Sequence, residues 1–93
     1  MIGKKVVVTT IHRGVFFGEI ESRDGDTVIL KQARNCLRWH QSVKGFLGLA
    51  ATGPSDNCRV GPACDKLELL GVASISLCSD RAVRSWEAAP WGG

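Results

Sequence analysis

The stretch from residue 14 to residue 33 constrains this chain more than any other. Residues 15–23 and 27–33 are two runs of strand-forming residues separated by Asp24-Gly25, where glycine supplies the positive φ of a tight turn. In the first run Phe16, Gly18 and Ile20 fall on one face, and Phe17, Glu19 and Glu21 on the other. Gly18 stands inside that run, where a sheet has to bend. A long strand bent at a glycine and paired with its neighbour is how small barrels close.

Residues 5–10 are rich in β-branched side chains and form a first strand, joined to the second through residues 11–14. The result is an antiparallel meander of three strands. The pattern resumes at residues 66–77. Leu67 and Leu69 are followed by Gly71 as a kink, and then by Ala73, Ile75 and Leu77 alternating with Ser74 and Ser76. This is one long bent strand or two short ones, enough to close a five-stranded sheet on itself.

Between these halves lies a helix-and-loop insertion, residues 35–65. Ser42 is placed to cap a short helix whose Val43, Phe46, Leu47 and Ala50 share a face, and Gly53-Pro54 stops it. Gly45 and Gly48 weaken that helix by about 1 kcal/mol each relative to alanine. Residues 56–65 read as loop. After the last strand Ser79 or Asp80 caps a short C-terminal helix, with Val83 and Trp86 on one face and Arg81 and Arg84 on the other. Residues 88–93 form a tail. The expected fold is a β-rich α+β domain over residues 1–93: a small bent antiparallel sheet or SH3/Sm-like barrel, with a helical insertion and a short C-terminal helix.

With 93 residues the chain has room for one modest core, burying about 60–65% of its unfolded surface. That small core, and an apolar content of 44%, point to a homo-oligomer. Charged residues make up 23% and the net charge is +3, which favours anionic ligands without specifying nucleic acid. The two lysines at positions 4 and 5 precede only three valines, too short for a signal peptide or a membrane span, so a cytoplasmic location and no membrane partner are expected. Cysteines 36, 58, 64 and 78 show no Cys-x-x-Cys spacing; they read as reduced, mostly buried thiols, and no metal or cofactor is expected. Cys58, Cys64 and His40 have no recognisable ligand spacing.

Residues 31–42 are the densest functional segment. They combine Lys31, Arg34 and Arg38 with Trp39, His40 and several amide or hydroxyl donors. Arginines pair with phosphates through planar, charge-assisted hydrogen bonds, and a Trp face stacks on a base for about 1–3 kcal/mol. The candidate ligand-binding residues are Arg13, Arg34, Asn35, Arg38, Trp39 and His40. The competing reading is a strand end with a core Trp and solvated charges. Lys4, Lys5 and His12 read as ordinary surface. Trp86 and Trp91 are the candidate oligomer contacts, with core packing the favoured reading for Trp86. Enzyme constellations are thin: there are two histidines, no Gly-x-Ser-x-Gly and no His-Glu-x-x-His, and Cys58 with His40 lacks a third group. No catalytic residue is assigned.

Two resemblances add to this reading. Gly14-Val15-Phe16-Phe17-Gly18-Glu19-Ile20-Glu21-Ser22, with Val28-Ile29-Leu30-Lys31 and Gly71-Val72-Ala73-Ser74-Ile75-Ser76-Leu77, resembles the strand pattern of Sm-like and other SH3-like small barrels. The Sm-like family implies a ring that binds single-stranded RNA. The whole chain is similar to a family of short, mostly phage-encoded proteins of undefined function. The similarity is carried by Gly14-Val15-Phe16-Phe17-Gly18, Leu30-Lys31-Gln32-Ala33-Arg34, the Trp39 segment, Asn57-Cys58 and Cys78-Ser79-Asp80. That resemblance implies a viral protein acting in the host cytoplasm by stoichiometric binding. The leading expectation is sequestration of a small anionic nucleotide ligand, such as a host anti-phage immune signal. Single-stranded RNA binding and inhibition of a host defence enzyme are the alternatives.

Overall fold

The fold was read from a computed structural model that describes residues 1–12, 14–38, 45–55 and 58–90. The elements are β1 (Lys5–Thr10), β2 (Val15–Asp24), β3 (Thr27–Arg38), α1 (Gly45–Thr52), β4 (Arg59–Val60), β5 (Cys64–Leu69), β6 (Val72–Leu77) and α2 (Asp80–Ala88). The strands form one bent antiparallel sheet in the order β4-β3-β2-β1-β6, with β5 also paired to β3. The expected β-rich α+β class with a bent antiparallel sheet and two short helices is what this chain adopts.

The 66–77 region resolves as two strands. β5 and β6 are separated by only Leu70 and Gly71, yet they pair with β3 and β1, which flank β2 on opposite sides. The sheet therefore curls until this link spans its two ends. Gly71 makes the link possible with φ +67, and the Ile11 N–H donates to its carbonyl at 2.9 Å. The Val72 N–H donates to the Asp26 carbonyl at 2.9 Å, tying the link to the β2–β3 turn. In that turn Asp24 pairs with Thr27 and Gly25 has φ +60, the φ pattern of a two-residue hairpin loop led by glycine. At Gly18 an added Cβ would lie 3.1 Å from both Leu30 Cβ and the Lys31 carbonyl oxygen, so β2 bends where β3 crosses closest.

Curling the sheet creates two cores. Val6, Val8, Ile20, Val28, Leu30, Ala33 and Leu69 fill one face. Val7, Val15, Phe17, Cys36, Leu49, Ala50, Val60, Cys78, Ala82 and Trp86 pack on the other, beneath the two helices. The three consecutive valines of β1 thus serve both layers, which is why an alternating pattern is absent there. The face of α1 differs from expectation: Leu49 and Ala50 are buried, whereas Leu47 is 63% exposed. A helix this apolar has no polar side to fix its rotation, and the Leu49 carbonyl settles it by accepting the Trp86 indole N–H at 3.0 Å. Ser42 and Val43 lie outside the described residues. Ser79 is the cap of α2: its Oγ accepts the Ala82 N–H at 3.0 Å and donates to the Ala51 carbonyl at 2.6 Å, joining the two helices.

The third strand runs on to Arg38, and β4 with the first residues of β5 occupies part of what reads as loop in the sequence. Pairing explains both extensions, since β3 is long enough to hold β5 along its first half and β4 along its second. Among the described residues no helix is long and apolar enough to cross a membrane.

Candidate functional site

The dense cationic segment lies on β3, and a defect in that strand organises it. Across β2 the register runs Phe17 opposite Arg34 and Glu19 opposite Lys31, so Gly18 alone on β2 faces both Gln32 and Ala33 on β3. The extra residue is a β-bulge at Gln32, whose φ of +51 makes it the one described non-glycine residue in the left-handed region. In a regular strand positions 31 and 34 point to opposite faces. The bulge reverses the parity, and both cations stand on the Phe17–Glu19 face. A second register shift between Ile20 and Ser22 places a compensating extra residue on β2, restoring the pairing beyond it.

On that face lies a cleft of about 340 Å³ whose lining includes Lys5, Phe17, Lys31, Gln32, Arg34 and Glu87. Lys5 Nζ is 2.6 Å from Glu87 Oε2, and Lys31 Nζ is 3.3 Å from Glu19 Oε2. Both pairs are partly solvated, and such pairs contribute about 0–1 kcal/mol. Gln32 Nε2 donates to Asp65 Oδ1 at 3.2 Å, orienting the bulge side chain toward β5.

Arg34 forms the base of the cleft and is only 8% exposed. Its Nε donates to the Gly61 carbonyl at 2.8 Å, and one terminal nitrogen donates to the Trp86 and Ala89 carbonyls at 2.7 Å each. Two of these acceptors belong to the C-terminal end of α2, where a cation also complements the helix dipole. Burial pulls the Arg34 pKa below its ordinary value, and the guanidinium nonetheless stays charged. It is a clamp joining β3, the β4–β5 connection and the end of α2, and it lends positive potential to the cleft above it.

The other expected site residues distribute differently. Asn35 pairs opposite Phe16 and so lies on the face away from Arg34; its carbonyl accepts the Gly61 N–H at 2.8 Å. Asn35 is therefore not part of this cleft, because strand alternation separates neighbours. The backbone of Arg38 ends β3 opposite Arg59. Arg13, Trp39, His40 and Trp91 lie outside the described residues. Trp86 is corrected from an oligomer contact to a core residue: it is fully buried, and its ring stacks on Phe17 with centroids 5.1 Å apart. A side chain with no exposed surface cannot meet a second copy. Of the thiols, Cys36 and Cys78 are buried in the core, half-buried Cys58 packs against it, and Cys64 is exposed. Burial pushes the Cys78 thiol up to about 11.

Of the cleft residues only Arg34 is a named candidate from the sequence; Lys31 and Gln32 fall in the dense segment without being assigned, and Lys5, treated as ordinary surface, Phe17, Glu19, Ala63 and Glu87 were missed. Nothing in the sequence marks Gln32 for a positive φ, and Lys5 reaches the cleft only through the β1–β2 pairing. No curated protein and no solved structure matches the chain. Residues 3–86 match the model of the domain of unknown function DUF6948, and the chain belongs to that family.

Proposed function

We propose that this protein binds and sequesters a small anionic ligand of nucleotide size, without chemistry, as a homo-oligomer. The observation that carries this reading is the Gln32 bulge, which brings Lys31 and Arg34 onto one face of a cleft that Lys5 borders from β1. A backbone conformation that costs about 1–3 kcal/mol is retained where the surroundings hold it, and it is characteristic of ligand sites. Phosphate oxygens pair with the Lys5 and Lys31 ammonium groups, which leave their weak carboxylate partners, while Arg34 raises the potential from below. From the sequence, Trp39 is the residue with a face for base stacking and Arg38 a further cation. Tight binding alone lowers the free ligand concentration. The resemblance to mostly phage-encoded proteins makes a host immune nucleotide in the host cytoplasm the leading identity of that ligand.

Native mass spectrometry of protein purified from cells, intact and again after denaturation, tests the reading. The expected result is an oligomer that releases a nucleotide-sized mass. Lys31→Glu, at an exposed position, should leave the assembly mass unchanged and reduce ligand occupancy about tenfold. A ligand-free wild type that also fails to take up nucleotides would overturn it.

A further inference from the structure

The register that builds the cleft also sets a row of alternating charge across three strands. Lys5 on β1 lies directly opposite Glu19 on β2, and Glu19 lies directly opposite Lys31 on β3. Opposed residues of an antiparallel pair point to the same face, and all three side chains line the cleft. Neighbouring strands lie about 4.8 Å apart, so the two lysine positions stand about 10 Å apart with the carboxylate midway. The bulge at Gln32 is what lets this row stand beside Phe17 and Arg34. Lys31 Nζ is 3.3 Å from Glu19 Oε2, whereas Lys5 Nζ is bonded to Glu87. Among the described residues the Glu19 carboxylate has no partner other than Lys31.

When phosphate oxygens take both lysines, Glu19 is left between two anions. An ionised carboxylate only accepts hydrogen bonds, so the ligand that suits this row carries a donor between its two phosphates. In a nucleotide the donors of the base lie beyond the glycosidic bond, off to one side. The group between a 3′- and a 5′-phosphate is the ribose, and with both phosphates in place its one free hydroxyl is the 2′-OH. Resting on the nucleotide reading above, we infer that the cleft takes a ribonucleotide unit with phosphate on both its 3′ and 5′ sides. Lys5 and Lys31 each hold one phosphate, and Glu19 accepts a hydrogen bond from the 2′-hydroxyl. A carboxylate on a ribose hydroxyl is an established way of reading the sugar, and the 2′-OH is the group that separates ribose from deoxyribose. A 5′-monophosphate engages one lysine of the row, a deoxy unit leaves Glu19 without a donor, and a triphosphate places its charge on one side of the sugar. The carboxylates of Glu19 and Glu87 among Lys5, Lys31 and Arg34 likewise make a bare polyanion a poor match.

Titration calorimetry of the full chain tests this, after unfolding and refolding to clear any ligand carried from cells, with circular dichroism as the check on folding. The probes are nucleoside 3′,5′-bisphosphates, their 2′-deoxy counterparts and the 5′-monophosphates, each in all four bases. For a given base the ribose bisphosphate should bind about tenfold or more tighter than either of the others. Glu19→Ala should bring the ribose and deoxyribose bisphosphates to equal affinity without weakening the deoxy form, because it removes a repelling charge together with the acceptor. Lys5→Ala should lower the bisphosphate to the level of the monophosphate, and if that variant does not fold, Lys31→Ala should do the same. Equal wild-type affinity for the ribose and deoxyribose forms, or for bisphosphate and monophosphate, overturns the assignment and leaves the nucleotide reading standing. A loss in Glu19→Ala shared by both bisphosphates marks a purely structural role and also overturns it. If no probe binds, both fall. An oligoribonucleotide that binds far more tightly than any bisphosphate upholds the phosphate–ribose–phosphate unit and overturns the small-ligand reading instead.

Discussion

The two cores of this molecule are held together by different means. The inner layer, with Val6, Val8, Ile20, Val28, Leu30, Ala33 and Leu69, is aliphatic and comes from strands alone. The outer layer joins Phe17 and Trp86 to the two helices and includes polar fixings: the Trp86 indole on the Leu49 carbonyl, Ser79 on Ala51, and Arg34 on three carbonyls. The reason lies in length. Helices of eight and nine residues are too short to persist alone, and they need tertiary contacts to set their position. Strands already share a ladder that fixes theirs. Area burial is thus sufficient for the inside of the curl, whereas the outside needs directional bonds.

The strongest way to break this comparison is to remove the centre of the outer layer. Trp86→Ala should cost about 3–5 kcal/mol in urea unfolding, with loss of the near-ultraviolet aromatic signal. A cost below about 1 kcal/mol would mean that the helices are not coupled to the sheet at all. Next comes Arg34→Met, which keeps the apolar stem but strands the Gly61, Trp86 and Ala89 carbonyls. It should cost about 2–4 kcal/mol, and hydrogen exchange should accelerate in α2 before β1 and β2. Uniform acceleration would show instead that the two layers open as one. The smallest effect belongs to the inner layer: Gly18→Ala forces a Cβ to within 3.1 Å of Leu30 Cβ and the Lys31 carbonyl, for about 1–3 kcal/mol with the helices still docked.

The difference between the layers also governs what the sequence discloses. Alternation of Phe16 and Phe17 with their neighbours, the Asp24-Gly25 turn and the Gly71 kink are local signals, and they place the inner layer and the curl. Trp86 reads as core from the Val83 spacing. The face of α1 was illegible because Gly45 and Gly48 interrupt an otherwise apolar run, leaving no polar side to count from. Arg34 reads as a ligand-binding cation and not as a buried clamp because its acceptors are 27, 52 and 55 positions away. The cleft depends on the bulge at Gln32, and a glutamine gives no notice of a left-handed backbone. Long-range pairing chose both.

The distance along the chain between Arg34 and its acceptors has a consequence for synthesis. A ribosome completes β1, β2 and β3 long before it adds Trp86 and Ala89, so the emerging meander carries a guanidinium at the middle of the surface the helices will cover. Until the last turn of α2 arrives, that charge stays hydrated and keeps water on the apolar face around it, discouraging premature association of nascent chains. The outer layer closes only once the last turn of α2 has been made, and Arg34 acts as the latch that registers its arrival.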